Sequence, residues 1–135
     1  MNKILVLGLT ALVMAGQAVA QDSQADEEMT IDDYVAVGEL ESVSKIRTRN
    51  HDSWSYLTDT YIVYTSDKEN TLVKFRTTCR DLRRNQIKHA DVRSDKNYMR
   101  TGHDTIRGCR IDALYPLEEH QVAEIEALVN SNDAG

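Results

Sequence analysis

The stretch Thr60-Tyr61-Ile62-Val63-Tyr64-Thr65, followed by Ser66-Asp67-Lys68-Glu69-Asn70 and then Thr71-Leu72-Val73-Lys74-Phe75-Arg76-Thr77-Thr78, decides the fold. The first six residues are β-branched or aromatic throughout, the composition of a central strand. The polar run Ser66 to Asn70 reads as a turn. From Thr71 the pattern alternates, so Val73 and Phe75 share one face while Lys74 and Arg76 project from the other. Together these segments predict a β-hairpin, around which the rest of the chain is read.

On its N-terminal side, Thr30 stands three residues before Asp33, a capping-box-like start to a short helical turn through Tyr34 and Val37 that Gly38 stops. The same stretch also fits an extended segment. Glu39 to Arg49 carries Leu40, Val43 and Ile46 among polar residues and is read as a strand. On the C-terminal side, Cys79 to Asn85 is a basic helical turn with Leu82 as its apolar contact, and Gln86 to Val92 returns as a strand. Arg93 to His103 reads as an irregular loop with Tyr98 and Met99 pinned to the core. Thr105 to Leu114 supplies a further strand through Ile106, Cys109, Ile111 and Leu114.

A helix closes the chain. Pro116 fixes its start, Glu118 and Glu119 put negative charge on its first turn, and Val122, Ile125 and Val129 recur at helical spacing. From Asn130 the tail is expected to fray. The fold class that follows is α+β: a small antiparallel β-sheet, open or barrel-like, with a C-terminal amphipathic helix.

The first twenty residues are read separately. Lys3 is a positive n-region, Ile4 to Gly16 an apolar run, and Ala18-Val19-Ala20 a small-x-small cleavage pattern. At about 13 residues the apolar run is shorter than the roughly 18 to 20 needed to span a bilayer. The chain is therefore expected to carry a signal peptide over 1–20, cleaved near Ala20/Gln21, with no transmembrane segment in the mature protein. An acidic leader over 21–29 has too little apolar content to pack and is read as disordered. A single β-rich domain follows over 30–130, and a frayed tail over 131–135. About 115 mature residues suffice for one core. With one Phe, one Trp and six Tyr, that core rests on branched aliphatics and tyrosines.

Cys79 and Cys109 are the two cysteines of the chain, and export would carry them into an oxidising compartment. Two cysteines allow one intramolecular pairing, and they lack the C-x-x-C spacing of a redox pair, so a structural disulfide is expected.

Charge is segregated. Gln21 to Ser44 holds eight acids and no base, Lys45 to Arg110 holds fifteen bases against eight acids for a net +7, and six acids stand alone from Ile111 onward. Either the acidic ends fold back over the basic centre, or the centre meets an anionic partner.

The run from Trp54 to Ser66, then Leu72, Cys79-x-x-Leu82, Asp104, and finally Cys109-Arg110-Ile111-x-x-Leu114-Tyr115-Pro116-Leu117, resembles a family of small exported bacterial (proteobacterial) domains of unknown function. Its marks are a tryptophan-containing strand pair and a late Cys-x-Ile before a Pro-Leu helix start. The resemblance covers roughly Val43 to Leu117. It implies a β-rich domain with a C-terminal helix and a periplasmic location, and it carries no activity and no catalytic residues.

Chemistry must then be read from the residues. His51, His89, His103 and His120 fall at no metal-ligand spacing, so no metal is expected. His89 with Asp91 and His103 with Asp104 are pairs that a small hydrolase would use as base and orienting carboxylate. No nucleophile motif and no glycine-rich phosphate loop is present, and no cofactor is implied. The leading reading is a non-catalytic periplasmic binding module. Its basic face would comprise Lys74, Arg76, Arg80, Arg83 and Arg84 with Trp54 nearby, for an anionic envelope component or an acidic protein. The alternatives are the hydrolase and a passive structural envelope protein. The compartment and a pI near 5.1 argue against nucleic acid. In the competing reading the same cations are a solvated face paired with Glu118, Glu119 and Glu124.

Overall fold

A computed structural model of the chain describes residues 28–48, 52–83, 92–94 and 97–134. The expected signal peptide, most of the acidic leader, His51, Arg84, His89 and all but Val92 of the strand expected from Gln86 lie outside the described residues. Element order is α1 (Ile31–Val37), β1 (Lys45–Arg47), β2 (Asp52–Thr58), β3 (Tyr61–Ser66), β4 (Glu69–Phe75), a 3₁₀ turn (Arg80–Arg83), β5 (Val92–Arg93), β6 (Tyr98–Arg100), β7 (Thr105–Ile106), β8 (Cys109–Leu117) and α2 (Glu119–Asp133). An antiparallel sheet in the order β2-β3-β4-β8-β7-β5 curls into a half-barrel, and β1 pairs with β6 as a separate ribbon. The class is α+β.

The hairpin read from sequence is the centre of this sheet, and its apolar run has a physical cause. Both faces of β3 are covered, so five of its six residues are buried and the usual polar alternation disappears. Ile62 and Tyr64 face one core with Val73, Phe75, Ile111 and Leu114, capped by Met99 of the ribbon and Leu82 of the 3₁₀ turn. Tyr61 and Val63 face the other with Leu72, Leu117, Ile31 of α1 and Ile125 of α2. Alternation along β2 puts Leu57 on this helix side and Trp54 and Tyr56 on the first, and a bulge follows between Tyr56 and Thr58.

The turn is shorter than the polar run indicates. Ser66 pairs with Glu69, leaving only Asp67 and Lys68 between the strands, both in the left-handed region at φ 48° and 71°. This is the two-residue geometry that favours Asn-Gly, here built without glycine. The strand expected over Thr105 to Leu114 is likewise broken. Arg107 (φ 49°) and Gly108 (φ 79°) make a second such turn and divide it into β7 and β8.

Pro116 does not start the helix. It lies inside β8 opposite Thr71. Leu114, two residues earlier, turns its carbonyl outward to the Val43 amide at 2.8 Å, so the missing N–H of Pro116 also faces away from β4 and costs the ladder nothing. The helix starts after Glu118, whose amide donates to the Gln121 side chain at 2.8 Å, and it continues past Asn130 to Asp133. Val122, Ile125 and Val129 pack on the sheet as their spacing predicts.

At the other helix, Thr30 and Asp33 form the expected capping box. Gly38 ends α1 in a right-handed conformation, where a Cβ would come within 3.0 Å of the Tyr34 carbonyl, and the left-handed step falls on Glu39. Of the strand expected from Glu39 to Arg49, the described residues keep a single bridge at Val43 and then β1. The loop expected over Arg93 to His103 contains β6, whose alternation buries Met99 and leaves Tyr98 exposed rather than pinned to the core.

Cys79 and Cys109 are disulfide-bonded, tying the 3₁₀ turn to the start of β8 across 30 residues. Closing such a loop stabilises a fold by about 3 to 4 kcal/mol in the chain-entropy model. Replacing both cysteines by serine is expected to lower the unfolding free energy by about 3 kcal/mol in urea titrations, with the folded circular dichroism spectrum retained. Lys68→Gly, which relieves a left-handed side chain, is expected to raise it by about 0.5 to 1 kcal/mol in the same assay.

Candidate functional site

The hairpin cations are not one surface. Lys74 points to the helix side, where its ammonium meets Asp32 of α1 at 2.7 Å and lies 5.6 Å from the centre of the Tyr61 ring. Tyr61 donates to the same Asp32 oxygen at 2.5 Å. The hydrogen bond from Lys74, then that from Tyr61, hold the Asp32 carboxyl below its ordinary range. Trp54 is on the opposite side of the sheet, half-buried with its ring 4.6 Å from that of Tyr64. Arg76 approaches Asp112 at 3.7 Å in solvent. Arg80 is exposed, and Arg84 lies outside the described residues.

Arg83 forks onto Asp59, with Nε to Oδ1 and Nη2 to Oδ2 both at 2.7 Å, and Tyr56 donates to Oδ1 at 2.7 Å. The Asp59 carbonyl also accepts from the Cys79 amide at 2.7 Å, so the cluster locks the β2–β3 turn to the disulfide. The Arg83 hydrogen bonds, then that from Tyr56, pull the Asp59 carboxyl down to about 2. The acids that meet Lys74, Arg76 and Arg83 are thus Asp32, Asp112 and Asp59, and not Glu118, Glu119 and Glu124. Glu124 instead accepts from the Tyr34 hydroxyl, bracing α1 against α2.

Among the described residues the histidine reading gains no site; His89 and Asp91 lie outside them. His103 is exposed, and the neighbouring Asp104 carboxylate is turned inward, accepting from the Arg100 amide at 2.5 Å. Asp104 therefore holds the turn between β6 and β7. His120 faces Glu118 at 3.2 Å in solvent. Among the described residues no group of three or more His, Cys, Asp and Glu side chains is placed to hold a metal ion.

A different basic face is assembled by the ribbon. Ile46 and Met99 form its inner side, so Lys45 and Arg47 of β1 and Arg100 and Tyr98 of β6 share the outer one. Lys45 stands directly opposite Arg100 and Arg47 opposite Tyr98. Like charges in facing positions of a ladder destabilise it. The strain is partly relieved because the Lys45 ammonium lies 5.0 Å from the centre of the Tyr98 ring and Arg100 Nε lies 3.6 Å from Asp104. Sequence reading missed this face because its members come from segments far apart in the chain, one of them read as loop.

Beside the ribbon runs a cleft of ≈ 960 Å³ between β1, the β3–β4 turn and the β8–α2 junction. Lys45, Arg47 and Lys68 contribute its cations, while Glu69, Glu118 and Glu119 contribute its acids. Tyr64 lines it from below. The Tyr64 hydroxyl is buried beside Asp52 and Ser66. Burial first, and Asp52 second, push the phenol well above its ordinary value, so it stays a proton donor.

The fold and these sites define a small, disulfide-stapled α+β domain with a cationic ribbon and a mixed-charge cleft. The chain belongs to a family of unknown function, DUF6491, which it matches over residues 1–132. No curated protein and no solved structure matches it. Among the described residues no helix is long and apolar enough to cross a membrane.

The Asp59–Arg83 fork makes a pH prediction. A carboxyl depressed in the folded state contributes stability that is fully present above its ordinary value of 3.8 and is lost as pH falls through about 2. Arg83→Ala is expected to move the Asp59 titration seen by NMR up toward 3.8 and to bring acid unfolding to higher pH.

Proposed function

We propose that this protein is an exported periplasmic binding module, without catalytic activity of its own, that takes an anionic component of the cell envelope on the β1–β6 ribbon. The observation that carries the reading is the outer face of that ribbon. Lys45, Arg47 and Arg100 stand together around the exposed Tyr98, with like charges directly opposed. A surface selected only for stability would alternate its signs there. Arginine and lysine next to an exposed tyrosine offer forked hydrogen bonds and point charges to carboxylate or phosphate, and an aromatic ring to an adjoining sugar or apolar group.

Export rests on the N-terminal pattern of Lys3, the apolar run and Ala18-Val19-Ala20. The Cys79–Cys109 disulfide is compatible with an oxidising compartment.

Retention of an envelope extract on the immobilised protein tests this reading at low and high salt. Lys45→Glu with Arg47→Glu is expected to abolish the salt-sensitive retention while the melting temperature is kept. Arg76→Glu with Arg80→Glu, just after β4 and on the 3₁₀ turn, is expected to leave it unchanged. The reverse pattern would move the site to the hairpin cluster, capture of an acidic protein alone would replace the envelope component, and no salt-sensitive retention would refute an anion-binding role.

A further inference from the structure

The six-stranded sheet ends on β2 at one side and on β5 at the other. β5 has two residues, and both strands of the separate ribbon carry Lys or Arg, so those strands are short or charged, as exposed edges usually are. β2 follows neither rule. It runs for seven residues, Asp52-Ser53-Trp54-Ser55-Tyr56-Leu57-Thr58, with no Lys, Arg or Pro and a single acid at its first position. Its bulge falls at the far end, after Tyr56. Among the described residues β2 is laddered on the β3 side alone.

The direction of each backbone group along β2 follows from its register. Ser66 and Glu69 close a two-residue turn, so the N–H and C=O of Ser66, Tyr64 and Ile62 are aimed at β4 and those of Thr65 and Val63 at β2. Ser53 and Ser55, opposite Thr65 and Val63, therefore bond inward to β3, whereas the N–H and C=O of Trp54 and Tyr56 point away from the sheet. This edge is self-complementary. When two copies of β2 meet antiparallel about a two-fold axis at Ser55, Trp54 of each lies opposite Tyr56 of the other, and these are the residues whose backbone groups are directed outward. Trp54 and Tyr56 share one face of the strand, so each pair across the axis is aromatic and continues the Trp54–Tyr64 contact at 4.6 Å within each copy. The two Asp52 carboxylates, the formal charges of the paired strands, end about 20 Å apart. An unrelated extended segment would have to bring this aromatic alternation with it, and a second copy already carries it.

We infer that this protein self-associates through β2, two copies pairing antiparallel about Ser55 and joining their sheets edge to edge. The contact is confined to one strand from each copy, less than the roughly 1,600 Å² of a standard protein–protein interface, so the dimer is weak and forms reversibly with concentration.

Sedimentation velocity of the purified protein is expected to show a monomer–dimer equilibrium that shifts over about two decades of concentration. Ser55→Lys and Ser55→Glu each set like charges face to face at the axis, and each is expected to weaken the dimer about ten-fold with the folded circular dichroism spectrum retained. Mixing the two variants is expected to restore association, because the facing charges are then opposite. Cysteine cross-linking tests the same register should either charged variant fail to fold. Ser55→Cys puts the two thiols in a facing pair with Cα atoms about 4.5 Å apart, within disulfide reach, whereas Ser53→Cys, at an exposed position of the same strand, leaves them about 14 Å apart. Mild oxidation is expected to give a covalent dimer from the first and none from the second. A monomer at every concentration, a dimer indifferent to both charges at position 55, no recovery on mixing, or cross-linking as ready through Ser53→Cys as through Ser55→Cys would overturn the inference.

Discussion

The structure depends on the burial of one hairpin from both sides. β3 is buried on both faces and β4 over Thr71, Leu72 and Val73, so the covering elements are placed by the need to cover one side or the other. The helices take Tyr61, Val63 and Leu72, while the ribbon, the 3₁₀ turn and the disulfide segment take Ile62, Tyr64, Val73 and Phe75. Neither cover is large. Each helix buries one residue fully, Ile31 in α1 and Ile125 in α2, so a modest core must be supported by links that do not rely on area. The Cys79–Cys109 bond, the Asp59 fork and the Asp32 pair with Lys74 and Tyr61 are those links, and each ties the hairpin to a covering element or a turn.

The uneven charge along the chain is resolved by two devices. Asp32, from the acidic N-terminal part, folds back onto Lys74 as charge compensation predicts. The acids at the C-terminal helix do not follow it. Glu118 and Glu119 remain at the cleft and Glu124 goes to Tyr34, so the remaining compensation comes from Asp59, Asp104 and Asp112 within or beside the basic segment. Pairing of this kind quiets Lys74 and Arg83, and among the described residues the ribbon brings Lys45, Arg47 and Arg100 together with Asp104 beside Arg100.

What could be read from sequence was local. The hairpin, the Thr30–Asp33 box, the disulfide and the stripe of Val122, Ile125 and Val129 each follow from neighbours a few residues apart or from a unique pairing. Pro116 was misleading because its effect depends on which way the missing amide points, and that is fixed by the bridge from Leu114 to Val43, far back in the chain. β6 was illegible for the same reason. Three residues with one buried methionine carry no periodic signal until β1 supplies a partner. The Lys45–Arg100 and Arg47–Tyr98 neighbours exist only through that pairing, so the ribbon face could not be assembled from composition.

Two features at this end of the molecule work against stability and have no counterpart elsewhere in the described hairpins. Lys45 faces Arg100 across the ribbon, and Lys68 holds a left-handed conformation where β7–β8 uses Gly108 at the corresponding turn position. Each costs on the order of 1 kcal/mol by itself, a noticeable share of the stability of a domain this size. Both place a cation beside or along the same cleft, which Tyr64 also lines. The Asp32 and Asp59 clusters, by contrast, pair Lys74 and Arg83 and satisfy the Tyr61 and Tyr56 hydroxyls. These two costs lie beside the surface proposed to bind an anion, within a fold otherwise braced by ion pairs and a disulfide.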